Sequence, residues 1–186
     1  MTMKKYDDFF MNVENLTKLR DYLMSLPRSY KDFHMGSFAT VYDDGRHWDL
    51  DEDDSILVED YAMEIPANCG TSACAVGHGP NAGIKHRKNE SWERYSARTM
   101  IHIKERNWDG SVDTSTSCTE WHWCFSGYWD QVDDHHWGAA RRISYLIKHK
   151  KVPDWFYGMS VVDRMVCDKS QRKKYINFKK SNRIGG

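Results

Sequence analysis

The segment Asn68-Cys69-Gly70-Thr71-Ser72-Ala73-Cys74-Ala75-Val76-Gly77-His78 gathers two thiols, two hydroxyls and an imidazole among mainly small side chains. Small residues let a backbone come close to another element or a ligand, so chemistry is sought here first. If Thr71 or Ser72 caps a helix, Cys74 falls in its first turn and His78 one turn later on the same side. The helix dipole and a neighbouring imidazole both favour the thiolate, the reactive form of a cysteine nucleophile. Cys74 and His78 are therefore candidate catalytic residues. His122, like His102 and His135, is a candidate base arriving from elsewhere in the chain.

The same residue types bind metal. Cys74 and His78 at i and i+4 can chelate one ion, with Cys69 as third ligand and His122, Cys118 or Cys124 as fourth. Zinc suits this set, although the Cys69–Cys74 and Cys118–Cys124 gaps exceed the two-residue spacing of most structural zinc sites. No other cofactor is expected: the acidic run Asp51-Glu52-Asp53-Asp54 lacks the glycine and closing glutamate of a calcium loop. A third reading needs no ligand, the thiols packing as small apolar groups with His78 hydrogen-bonded at their edge.

A second concentration lies at Glu120–Trp129, where Trp121, Trp123 and Phe125 alternate with Glu120, His122 and Cys124. Alternation predicts a strand with one face in the core and the other on a pocket. Trp121 and Trp123 thus join Cys69, Thr71 and Ser72 as candidate binding residues. An exposed tryptophan there would stack on a base, whereas a buried one would only fill the core. His135-His136 beside Asp133-Asp134 reads as a polar helix start.

Several elements must position these residues. Asn12 to Leu26 has apolar residues at helical spacing, a capping Asn12 and a terminating Pro27. Phe38 to Leu50 reads as a hairpin turning through Asp43-Asp44-Gly45-Arg46. Trp92 to Asn107 reads as a helix, though Ile101 and Ile103 also suit a strand. Asp133 or Asp134 is expected to cap a helix running to Lys150, with Pro153 beyond its end. The expected fold is α+β, with two to three main helices packed on a small antiparallel sheet that includes the hairpin. Residues 1–168 form one compact domain, and 169–186 a basic C-terminal tail with a frayed end.

Composition narrows the classes. The 186 residues are 40% hydrophobic and 13% aromatic, which supports a packed core and argues against general disorder. No apolar run approaches the ~20 residues that cross a bilayer, so no membrane partner is expected. Five cysteines without scaffold density, and no apolar leader after Met1, point to reduced thiols in a cytoplasm. Net charge is zero, but ten acids crowd Asp43–Glu64 and seven bases without an acid follow from Lys169. The basic tail 169–183 can contact nucleic acid, or neutralise the acidic segment of its own fold.

The run Cys69-Gly70-Thr71-Ser72-Ala73-Cys74-Ala75-Val76-Gly77-His78 resembles the Cys-Gly-Thr-x-x-Cys-x-x-Gly-His/Trp pattern of small proteins of phages and bacterial mobile elements. The likeness extends to Phe33-His34-Met35-Gly36-Ser37-Phe38 and to Trp137–Asp154, together about half of the chain. It implies an accessory protein of the bacterial host cytoplasm that binds a host protein or small molecule, as a counter-defence factor would. The acidic hairpin loop and long basic tail depart from the pattern. Asn68–Cys74 is also similar to the nucleophile region of papain-type proteases, with echoes at Gly77–Asn81 and Asn89–Trp92. That family separates those regions by most of a domain, so the compression here argues against its fold. Two rival functions stand beside host binding: a thiol-dependent hydrolase or transferase using Cys74, and a small structural zinc protein.

Overall fold

A computed structural model of the chain describes residues 9–36, 39–43, 46–49, 58, 71–106, 109 and 111–184, and at 39–49, 71, 72 and 106 the backbone alone. Strand β1 (Phe9–Met11) leads into helix α1 (Val13–Ser25). Asn12 starts this helix as expected, its side chain accepting from the Asn15 N–H at 3.0 Å. Leu16, Leu19 and Leu23 recur on one face and are buried. The helix start is docked by the Asn12 N–H on the Met100 carbonyl (2.9 Å) and by Asn15 Nδ2 on the Thr99 carbonyl (3.0 Å).

The hairpin is present as β2 (Ala39–Asp43) and β3 (Arg46–Asp49), antiparallel with Val41 opposite Trp48. Asp44, Gly45 and the acidic run that follows lie outside the described residues. The helix start expected at Thr71 is instead strand β4 (Thr71–Ala73), which pairs with β2 through Ala39 opposite Ala73. Its other edge is also taken. The Ala73 N–H donates to the Asp32 carbonyl, and the His34 N–H to the Ala73 carbonyl, both at 3.1 Å. Bonds to neighbours on both sides hold the backbone extended. From Cys74 the chain coils through successive turns, with the His78 N–H on the Cys74 carbonyl (3.1 Å) and the Gly79 N–H on the Val76 carbonyl (2.8 Å). Gly79 is required there, because a Cβ would collide with the Tyr95 hydroxyl and lie 2.9 Å from the Val76 carbonyl oxygen.

The helix expected over Trp92–Asn107 ends early. Helix α2 (Trp92–Thr99) gives way at Met100 to strand β5 (Ile101–Arg106), and Ile101 and Ile103 are buried on alternate positions. β5 is the middle strand between β1 and β6 (Val112–Ser115).

The aromatic run is a helix, α3 (Thr119–Phe125), not the expected strand. Trp123 is wholly buried among Trp129, Phe156 and Phe178, with ring centroids 5.8, 5.0 and 4.9 Å away. Its Nε1 donates to the Arg142 carbonyl at 3.0 Å, while Trp121 Nε1 donates to Ser96 Oγ at 2.8 Å. A helix turns two residues apart by about 200°, so each tryptophan meets a different neighbour and the backbone bonds stay local. Alternating polarity was therefore a misleading cue.

A 3-10 turn (Gly127–Trp129) and the short α4 (Asp130–Asp133) precede helix α5 (His136–His149). His135 rather than an aspartate caps α5, its Nδ1 accepting from the Trp137 N–H at 3.0 Å. Both aspartates are engaged elsewhere: Asp133 accepts from the Tyr175 hydroxyl, and Asp134 from the Met35 N–H at 2.7 Å. α5 packs along α1, and Gly138, Ala139 and Ala140 are buried in it. Helix α6 (Met159–Cys167) buries Val161, Val162 and Met165. Asp168 then caps α7 (Lys169–Ser181) through the Ser170 N–H at 2.7 Å. The basic segment is thus helical to Ser181, and its Tyr175 and Phe178 reach the same core as Trp123. The fold is α+β, with seven α-helices rather than two or three among the described residues, and two three-stranded antiparallel sheets ordered β1-β5-β6 and β3-β2-β4. Among those residues no helix is long and apolar enough to cross a membrane.

Candidate functional site

The turns after β4 carry the motif's histidine inward. His78 has no exposed surface and stacks on Phe33, with ring centroids 5.8 Å and planes 4° apart. Tyr22 and Tyr30 complete the enclosure at 5.9 and 5.7 Å. Burial pushes the His78 pKa down to about 4, outweighing an opposite pull from the Asp32 backbone, so the ring is neutral at pH 7. His136, which the sequence reading placed at a polar helix start, is buried against the same Phe33 and Tyr30, and its Nδ1 lies 2.8 Å from the Leu23 carbonyl. Two histidines far apart in sequence therefore share one aromatic enclosure.

The remaining motif residues divide. Cys74 is 2% exposed. Thr71 and Ser72 contribute backbone to β4, and Cys69 lies outside the described residues. Trp123 has no exposed face, Trp121 is half-buried, and burial lowers the His122 pKa. Burial pushes the Cys118 thiol up to about 11 and the Cys124 thiol upward as well, away from thiolate. Among the described residues no group of three or more His, Cys, Asp or Glu side chains is placed to hold a metal ion.

Accessible chemistry lies elsewhere, on β1, β5 and the turn before α2. Phe10 of β1 sits opposite His102 of β5, with ring centroids 4.8 Å apart, and is 51% exposed. The pair borders a groove of about 600 Å³ rimmed by Arg87, Lys88, Arg94 and Arg98. The carboxylate in this groove, Glu90, is 6% exposed and already committed. Arg98 grips it twice, Nε on Oε1 at 2.6 Å and Nη2 on Oε2 at 2.7 Å, and the Arg87 N–H adds a bond at 2.8 Å. Burial works to raise the Glu90 pKa, but these bonds and charges outweigh it and leave the carboxyl below its usual value. His102 Nδ1 lies 2.7 Å from the Ala97 carbonyl, so Nδ1 carries the proton. A further hollow of about 520 Å³ runs on past Phe9 and Lys104.

Comparisons with protein-family models, curated proteins and solved structures return no match. The functional reading therefore rests on geometry. The cations Arg87, Lys88, Arg94 and Arg98 are close in sequence, on the turn before α2 and on α2 itself, but their spacing does not show that β1 and β5 bring Phe10 and His102 beside them. The available signal was weak: Phe10 lies between Phe9 and Met11, and nothing local marks it as the ring left exposed. Only the register of β1 on β5 sets Phe10 beside His102.

Proposed function

We propose that this protein is a binding module rather than a catalyst, an accessory protein of the phage type whose contact surface is the Phe10–His102 groove. It acts in the host cytoplasm on an anionic partner, and the chemistry of the groove favours single-stranded nucleic acid. One observation carries this reading: a half-exposed aromatic ring beside cations whose local carboxylate is already paired with Arg98. Bases stack on such a ring, and Arg87, Lys88 and Arg94 meet the phosphates on either side. The motif segment supports the module from within, since Phe33, Cys74 and His78 are part of the interior. The hydrolase reading lacks support among the described residues, because Cys74 and His78 present almost no surface to a substrate.

Fluorescence anisotropy with a labelled oligothymidylate tests the proposal. Phe10→Ala should weaken binding by about tenfold, the loss of one stacked base. Arg94→Gln should lower the dependence of log affinity on log salt by about one charge. Absence of binding at low salt, or binding indifferent to both substitutions, overturns the reading. Binding that responds to Arg94→Gln but not to Phe10→Ala would overturn the stacking role of Phe10, leaving contact with phosphates alone.

A further inference from the structure

A second basic cleft lies beyond α1, between α5 and α7, with a volume of about 540 Å³. Arg28, Arg141, Lys179 and Arg183 line it, together with Trp137 and the carboxylate of Asp133. Asp133 is already shared. It accepts from the Tyr175 hydroxyl, and Arg141, Arg142 and Lys179 approach its oxygens at 3.9, 3.8 and 3.8 Å. One carboxylate thus faces three cations before Arg28 and Arg183 are considered. Among the described residues no other acid lines the cleft. This excess positive charge is built in rather than left at the ends of mobile side chains. Arg142 is wholly buried, held at Tyr175 Oη (3.0 Å) and over the Trp129 ring (4.1 Å). Arg141 is fixed by its Nε on the Asn182 carbonyl at 3.0 Å, and Arg28 lies over the face of Trp137 at 4.8 Å. Gly138 keeps the floor open to Asp133, since a Cβ there would lie 2.5 Å from Asp133 Oδ2.

We propose that this cleft binds a small phosphate-bearing ligand with at least two negative charges. Guanidinium groups present paired N–H donors that match phosphate oxygens, and cations from α1's far end, α5 and α7 surround such a group on several sides. The volume is that of a small-molecule site. A monoanionic carboxylate would leave much of the charge uncompensated, so phosphate is the better match. This site is separate from the Phe10 groove and does not depend on the reading given to it.

The test is a titration of the full chain with pyrophosphate and with orthophosphate at low salt, followed by isothermal calorimetry. Saturable binding is expected, tighter for pyrophosphate. The double variant Lys179→Gln/Arg183→Gln should weaken it at least about tenfold, the loss of charge-assisted hydrogen bonds. Arg28→Gln, which leaves the Asp133 cluster intact, should weaken it in the same direction, and circular dichroism checks that each variant is folded. Arg94→Gln, in the other groove, should leave it unchanged. Failure to saturate in the millimolar range overturns the proposal. Binding that survives the cleft substitutions but is lost in Arg94→Gln also overturns it, by moving the anion to the Phe10 groove.

Discussion

Phe33 and His78 stack with planes 4° apart inside the protein, whereas Phe10 and His102 meet at a 32° tilt on its surface. The residue types are the same, and their roles diverge because their surroundings differ. His78 is enclosed by Tyr22, Tyr30 and Phe33 and is neutral, so it serves packing. His102 holds its Nδ1 on the Ala97 carbonyl and offers its ring beside a half-exposed Phe10, rimmed by cations. A histidine in a conspicuous motif is thus no guide to activity until its access to solvent is known.

The comparison breaks most directly through its two phenylalanines. Phe33→Ala should cost about 3–5 kcal/mol of stability in urea denaturation, as expected for an aromatic lost from a core. Phe10→Ala should cost no more than about 1 kcal/mol, since only part of its surface is buried. Equal losses would erase the distinction drawn between the two pairs. Acid sharpens it next. The His78 pKa of about 4 in the folded protein lies below the ordinary value of 6.5, so the unfolded chain binds the extra proton first on acidification. Stability is therefore retained above pH 6.5 and falls through the window from 6.5 to 4, by roughly 3 kcal/mol at most. His136 adds to this loss with the same sign, because burial lowers its pKa too. His78→Gln should flatten the profile of denaturation midpoint against pH, and an unchanged profile would show that His78 is not buried neutral.

A smaller effect is expected at Gly79. Gly79→Ala forces a methyl against the Tyr95 hydroxyl and the Val76 carbonyl, and should lower stability by about 1–3 kcal/mol in the same assay. Thiol labelling involves no loss of stability and reports access alone. Among the described cysteines, Cys167 is exposed and should react first, while Cys74, Cys118 and Cys124 react only as the protein opens. Mass spectrometry of a timed alkylation separates them. Early modification of Cys74 would restore the thiol to the surface and return weight to a cysteine nucleophile.

Local signals made part of this fold legible. Asn12 before Leu16, Leu19 and Leu23, the paired strands Ala39–Asp43 and Arg46–Asp49, and the run of small and apolar residues into Lys150 each carry their structure in nearby residues. The same confidence failed at Trp121–Trp123, where aromatic alternation imitates a strand, and at Thr71, where β2 and the Asp32–His34 segment claim the backbone before a helix can start. The basic C-terminal segment looked detachable because its charges dominate, and Tyr175 and Phe178 were too few to show a buried face. Its Lys179 and Arg183 acquired meaning only beside Arg28 and Arg141.

By itself, then, the sequence determined the Asn12 cap, the helix end at Lys150 and the residue chemistry on hand, because these depend on neighbours a few positions away. Tertiary structure decided which histidine is sealed and which faces solvent, and which cations meet around an open groove. Burial and electrostatic field are set by groups distant in the chain, so the Cys74–His78 end of the motif drew attention to the interior while the accessible chemistry assembled elsewhere.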